Sequence, residues 1–176
     1  MILRDNAYNV AAAFNEDSGF QSTGCLIHSL QLVIKKEVIE FPAIKDALDK
    51  ARKICGHANK SNVFCAEIRR QQNIQGMEEK VLIQDVVTRW NSTFDMGERF
   101  LELKPVIISS IATLDTDLVP LSKENWNYLQ KAIEVLKVFK EATLALSSKN
   151  ASISQAIFIV TVIMTKLKNS LLLIME

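Results

Sequence analysis

Apolar residues recur every three or four positions over most of this chain, a spacing that predicts helices. Leu30, Val33, Ile34 and Val38 share one face of a helix expected from about Ser29 to Glu40. Pro42 opens the next in a first-turn position, where its missing N–H would have had no intrahelical partner anyway. Ile44, Ala47, Leu48, Ala51, Ile54 and Ala58 carry the pattern on towards Asn73, with Gly56 and Ser61-Asn62 as points where it breaks and Gly76 as its end. A further helix runs to about Leu114 through Phe94, Phe100, Leu101 and Val106, and Pro105 within it predicts a kink or a split. Ser122 is placed to cap a helix that stacks Leu129, Ile133, Leu136, Phe139 and Thr143 on one face and ends near Leu146. The last helix starts near Ser152 or Ser154 and stays apolar to the end.

Two stretches break the helical period. Met1 to Leu3 reads as extended chain, with a turn and N-cap at Asp5-Asn6, a short helix over Ala7–Phe14 and a loop from Asn15 to Gly24. Lys80 to Val87 is rich in β-branched residues and short, which suits a strand or an extended linker. The fold class expected is therefore mainly α, with a small β contribution near the start.

Composition supports this and excludes several classes. The chain has 176 residues, about one domain's worth, with only 5 Gly and 3 Pro to interrupt helices. With 48% hydrophobic and 23% charged residues it is a globular rather than a disordered composition. Lys and Arg number 21 against 20 Asp and Glu, so the chain as a whole is no polyanion binder. An odd count of 3 cysteines does not make a disulfide scaffold and favours a reducing compartment. The first residues lack a cationic region followed by an apolar one, so no secretory signal is read there. Lys166 and Lys168 interrupt the apolar C-terminal stretch short of the roughly 20 residues a bilayer needs, and membrane contact is not expected.

Candidate chemistry is sparse. Asp5 sits where extended chain gives way to helix; a carboxylate there suits a divalent metal beside a sheet edge, or a simple cap. Cys25 and His28 have C-x-x-H spacing, but a structural zinc needs four ligands, and Cys55 and His57, two apart on a helix, point different ways. A buried cysteine and a structural histidine serve that spacing equally well. Lys50, Arg52, Lys53, His57, Lys60, Arg69 and Arg70 form a basic stretch that suits phosphate contact or, interleaved with Asp46, Asp49 and Glu67, a solvated helix face. Trp90 beside Arg89 suits stacking on an unpaired base with a clamp on its phosphate, or a place in the core. With His28 and His57 as the only histidines, no nucleophilic triad is indicated, and no nucleotide-binding glycine motif occurs.

Four segments, in order, carry a resemblance. Arg4-Asp5-Asn6-Ala7-Tyr8-Asn9, Gly24-Cys25-Leu26-Ile27-His28-Ser29-Leu30-Gln31-Leu32, Lys53-Ile54-Cys55-Gly56-His57 with Lys60-Ser61, and Leu82-Ile83-Gln84-Asp85-Val86-Val87-Thr88-Arg89-Trp90-Asn91-Ser92-Thr93 with Glu98-Arg99 resemble motifs of the hAT-superfamily transposases and their domesticated BED-type zinc-finger relatives. The resemblance implies an RNase H-like fold with a helical insertion: the C-terminal part of the RNase H-like domain over residues 1–41, and over 42–176 a predominantly helical region with the T-R-W-N-S-T block and part of the insertion. It implies that Asp5 matches the second of three metal-holding carboxylates, that Cys25 and His28 match a motif near that site, and that Arg89 and Trp90 contact DNA.

The departures from the family pattern set the functional expectation. Arg4 stands where the family has Thr, and of the three carboxylates the chain supplies one, which cannot position two metals. The opening extended segment and the closing helix both break off in mid-pattern, as in a piece of a longer protein. The expectation is a fragment of a domesticated transposase-like nuclear DNA-binding protein that is not an enzyme by itself. The chain alone would bind no cofactor; magnesium or manganese would belong to an intact parent, and zinc to a BED finger that this sequence lacks. DNA and a second copy would be partners of the parent, with neither membrane nor small-molecule substrate. The alternatives are a helical interaction or dimerisation module and a shortened version of an active DNA transposase.

Overall fold

The computed structural model describes residues 2–4, 22–114, 116–147, 154 and 157–165. Strand β1 (Ile2–Arg4) pairs in parallel with β2 (Ser22–Gly24), with Ile2 opposite Ser22 and Arg4 opposite Gly24. Helices α1 (Leu26–Val33), α2 (Pro42–Ala58), α3 (Asn62–Ile74), α4 (Trp90–Glu102), α5 (Lys104–Thr113) and α6 (Lys123–Leu146) follow, and residues 157–165 are helical as well. The described residues are mainly helical. The chain falls into two compact units, one of residues 1–38 and 138–176 and one of residues 39–137. The first division lies three residues before the expected boundary after residue 41, and the second falls inside α6.

Within the unit of residues 39–137, local chemistry sets the helix ends. Ser61 caps α3 by accepting the Phe64 N–H at 3.2 Å, so the long pattern from Ala43 breaks at 59–61, while Gly56 stays inside α2. Gly76 ends the pattern with φ of 64°, a left-handed conformation that glycine adopts without a Cβ clash. Pro105 lies in the first turn of α5, and the expected split falls at Leu103 between α4 and α5. The Ser122 hydroxyl accepts the Asn125 N–H at 3.1 Å and caps α6 as the sequence suggested.

The core of this unit is built from the predicted faces of α2, α4, α5 and α6, joined by Phe64 and Ile68 of α3, which the sequence reading does not single out. Ala47, Leu48, Ala51 and Ile54 of α2, Phe64 and Ile68 of α3, Phe94 and Phe100 of α4, Val106 of α5, and Leu129, Ile133 and Leu136 of α6 are all buried. Helix α5 packs on α3, and α2 packs against both α3 and α4. Helices α4 and α6 come unusually close at Gly97: a Cβ there would lie 2.9 Å from Ile133 Cγ1 and closer still to its Cδ1. Near the start of α6, Trp126 stacks on Phe100 with ring centroids 5.2 Å apart, and the Lys104 ammonium sits 5.1 Å above the indole.

Three features differ from the sequence reading. The loop expected over Asn15–Gly24 contains β2, because a three-residue strand of Ser, Thr and Gly is fixed by pairing with β1 and not by its own pattern. The helix expected from Ser29 begins at Leu26: the Ser29 N–H and hydroxyl both donate to the Cys25 carbonyl, at 3.1 and 3.3 Å, so Ser29 lies inside the first turn. After Val33 the backbone widens into a π-helix over Ile34–Ile39, where an α-helix was expected to continue to Glu40. The expected turn at Asp5-Asn6 and helix over Ala7–Phe14 lie outside the described residues.

Candidate nucleic-acid interface

Of residues 80–87, expected as a strand or an extended linker, 80–86 form an irregular segment with no ladder partner among the described residues, and Val87 already belongs to the turn that follows. Burial recurs at Leu82 and Asp85, three apart, which does not match the two-residue period of a strand. Side chains hold the segment in place. The Gln72 carboxamide, itself fully buried, accepts the Lys80 N–H at 2.6 Å and donates to the Lys80 carbonyl at 2.9 Å, as a neighbouring peptide group would. Arg99 donates to the Val81 carbonyl at 3.1 Å, and Lys80 pairs with Glu102.

At the other end the anchor is ionic. The Asp85 carboxylate has no solvent exposure and accepts from Arg52 Nε at 3.1 and 3.0 Å, from Arg52 Nη2 at 2.8 Å and from the Thr93 hydroxyl at 2.9 Å. Arg52 also reaches Asp49 at 2.8 Å. A tight turn follows, closed by the Arg89 N–H on the Val86 carbonyl at 2.7 Å. The Ser92 hydroxyl accepts the Val86 N–H at 2.8 Å and lies 2.9 Å from the Val86 and 2.7 Å from the Arg89 carbonyl, either of which takes its proton. Asp85, Ser92 and Thr93 thus form a brace inside the T-R-W-N-S-T block. The sequence reading missed this use of them, although a lone acid and two hydroxyls among β-branched residues were the available signal.

The sequence-proposed DNA contacts part company here. Arg89 is the N-cap residue of α4, exposed and without an ion pair or hydrogen bond from its side chain among the described residues. Trp90, the next residue, is 6% exposed, and its Nε1 has no hydrogen-bond partner among the described residues. In this conformation Trp90 occupies the core position weighed against base stacking, and Arg89 alone of the two faces solvent.

The basic stretch also divides. Lys50 donates to Asp46 at 2.6 Å and to Asn125 at 2.9 Å, Arg52 is held by Asp85, and Arg70 pairs with Glu67 at 2.7 Å. His57 lies edge-on to Phe64, 5.2 Å between centroids, while Cys55 is buried on another face of α2. Lys53, Lys60 and Arg69 remain exposed and outside the ion pairs of the described residues. Arg69 lines a cleft of about 290 Å³ with Asn59, Asn62, Cys65 and Lys80.

Of the remaining candidates, Asp5 lies outside the described residues. Cys25 is the N-cap residue of α1 and His28 lies in its first turn, both half-buried. Among the described residues no three His, Cys, Asp or Glu side chains come together as a metal site. No helix among them is long and apolar enough to cross a membrane.

Comparison with known proteins agrees with the family resemblance, and the family match takes in three of the four segments that carry it, those from Gly24 onward. Residues 23–135 match the family described as the ZBED1 RNase-like helical domain. The chain is 32% identical over 156 residues to human zinc finger BED domain-containing protein 6, covering 89% of this chain and 16% of that protein. It is 27% identical over 167 residues to human zinc finger BED domain-containing protein 4, covering 94% of this chain and 14% of the relative. It is 30% identical over 128 residues, 70% of this chain and 14% of the relative, to a Talaromyces stipitatus protein, tpeD, whose name proposes a transcriptional regulator. The chain therefore spans about a sixth of the length of these relatives. No solved structure gives a significant match. With most of its length matched to that family and to BED-type relatives, the chain belongs to the BED zinc-finger proteins that carry an RNase-like helical domain.

Proposed function

We propose that this chain is the RNase-like helical part of a domesticated hAT-type regulatory protein that binds DNA in the nucleus, and that the chain on its own does not transfer phosphoryl groups. The observation that carries the reading is the family match over residues 23–135, within a chain similar to BED zinc-finger proteins along most of its length. The exposed cations Lys53, Lys60, Arg69 and Arg89 supply sequence-independent phosphate contacts, which position a duplex without reading it. The lack of catalysis follows from the resemblance, since only Asp5 matches one of the three carboxylates that two-metal phosphoryl transfer needs. Divalent metal and zinc belong to the intact parent, as does a second copy of the chain.

The test is a salt titration of duplex DNA binding by the purified chain, with a nicking assay in magnesium or manganese beside it. Binding that weakens steeply with salt, without nicking, is the expected result. No binding at low salt by a folded chain overturns the DNA reading, and metal-dependent nicking overturns the non-catalytic one. A helical interaction module is the second reading, favoured by the exposed Ile157, Phe158 and Met164 on the helical residues 157–165. Self-association that salt does not weaken would support it.

A further inference from the structure

We draw no further inference here: the strongest candidate, the cleft of about 290 Å³ between α3 and residues 79–82, carries none, because its lining sets one arginine outside the ion pairs of the described residues, Arg69, beside the exposed acid Glu79 and a lone cysteine, Cys65, and so selects no ligand.

Discussion

Arg52 and Asp85, 33 positions apart, form a nearly buried ion pair in which one guanidinium donates through Nε and Nη2 to one carboxylate. Asp85 has no exposed side-chain surface and Arg52 is 15% exposed, so neither has water as an adequate substitute for the other. Arg52→Ala leaves a carboxylate buried with only the Thr93 and Gln84 donors, and it should destabilise the chain by about 3–5 kcal/mol. Urea unfolding measures this. A loss under 1 kcal/mol would mean that the segment around Asp85 can move out to water.

Gly97 should not tolerate alanine. In an ordinary helix interior Gly→Ala gains about 1 kcal/mol. Here the added methyl meets Ile133 Cγ1 at 2.9 Å and its Cδ1 closer still, with Leu129 Cδ1 at 3.7 Å. Overpacking of this kind costs about 1–3 kcal/mol, so G97A should lower the unfolding midpoint. Combining it with Ile133→Ala, which removes both crowding carbons, should cost less than the sum of the two single changes. Strict additivity would show that α4 and α6 do not touch there.

Cysteine reactivity should separate two positions on neighbouring helices. Burial, reinforced by the negative charge of Asp85, pushes the Cys55 thiol up to about 12. It therefore stays protonated and inaccessible at pH 8, where iodoacetamide needs a thiolate. Cys65, half-exposed and lining the cleft beside Arg69, should be alkylated in the native chain, and Cys55 only after denaturation. Peptide mass mapping reads the order, and equal rates at the two would contradict it.

Acid should weaken the fold through Glu67. The Arg70 guanidinium, with help from the Gln71 amide, holds its carboxyl down at about 2, against an ordinary value of 4.5. The unfolded chain thus takes up this proton first on acidification. Stability from the pair is complete above pH 4.5 and is lost as pH falls towards 2. Asp46, beside Lys50, and Glu102, beside Lys80, are lowered too and act in the same direction. Glu67→Gln should therefore flatten the acid limb of the stability profile without abolishing it. An unchanged slope would show that the Glu67–Arg70 pair does not persist in solution.

What the sequence disclosed follows from how local each signal is. Ser61, Ser122, Gly76 and Pro105 act within a few residues of themselves, and each marks a boundary where its chemistry requires one. The apolar faces of α2 and α6 were legible for the same reason, since a repeating pattern averages over single errors. The strand Ser22–Gly24 and the Arg52–Asp85 pair depend on partners far along the chain, and nothing in their own neighbourhoods names those partners. The candidate interface suffered most from this. Arg52 read as one more cation of a basic stretch and Trp90 as suited equally to base stacking or to the core, and only the assembled structure shows that the first is held by an acid and the second is enclosed.

The Gln72 carboxamide imitates a peptide unit beside Lys80, and Asp85 is clasped by Arg52, so the chain is pinned at two points with four residues between them. Those four act as a spacer of measured length. Val81 and Gln84, both exposed, are free to change identity, but their number is not. One residue inserted or deleted there would offer Arg52 an apolar or amide side chain in place of the carboxylate and rotate the following turn off its serine. Substitutions at the exposed Val81 and Gln84 should therefore be mild, those at the buried Leu82 costlier and single-residue indels severe, a tolerance for spelling without a tolerance for counting.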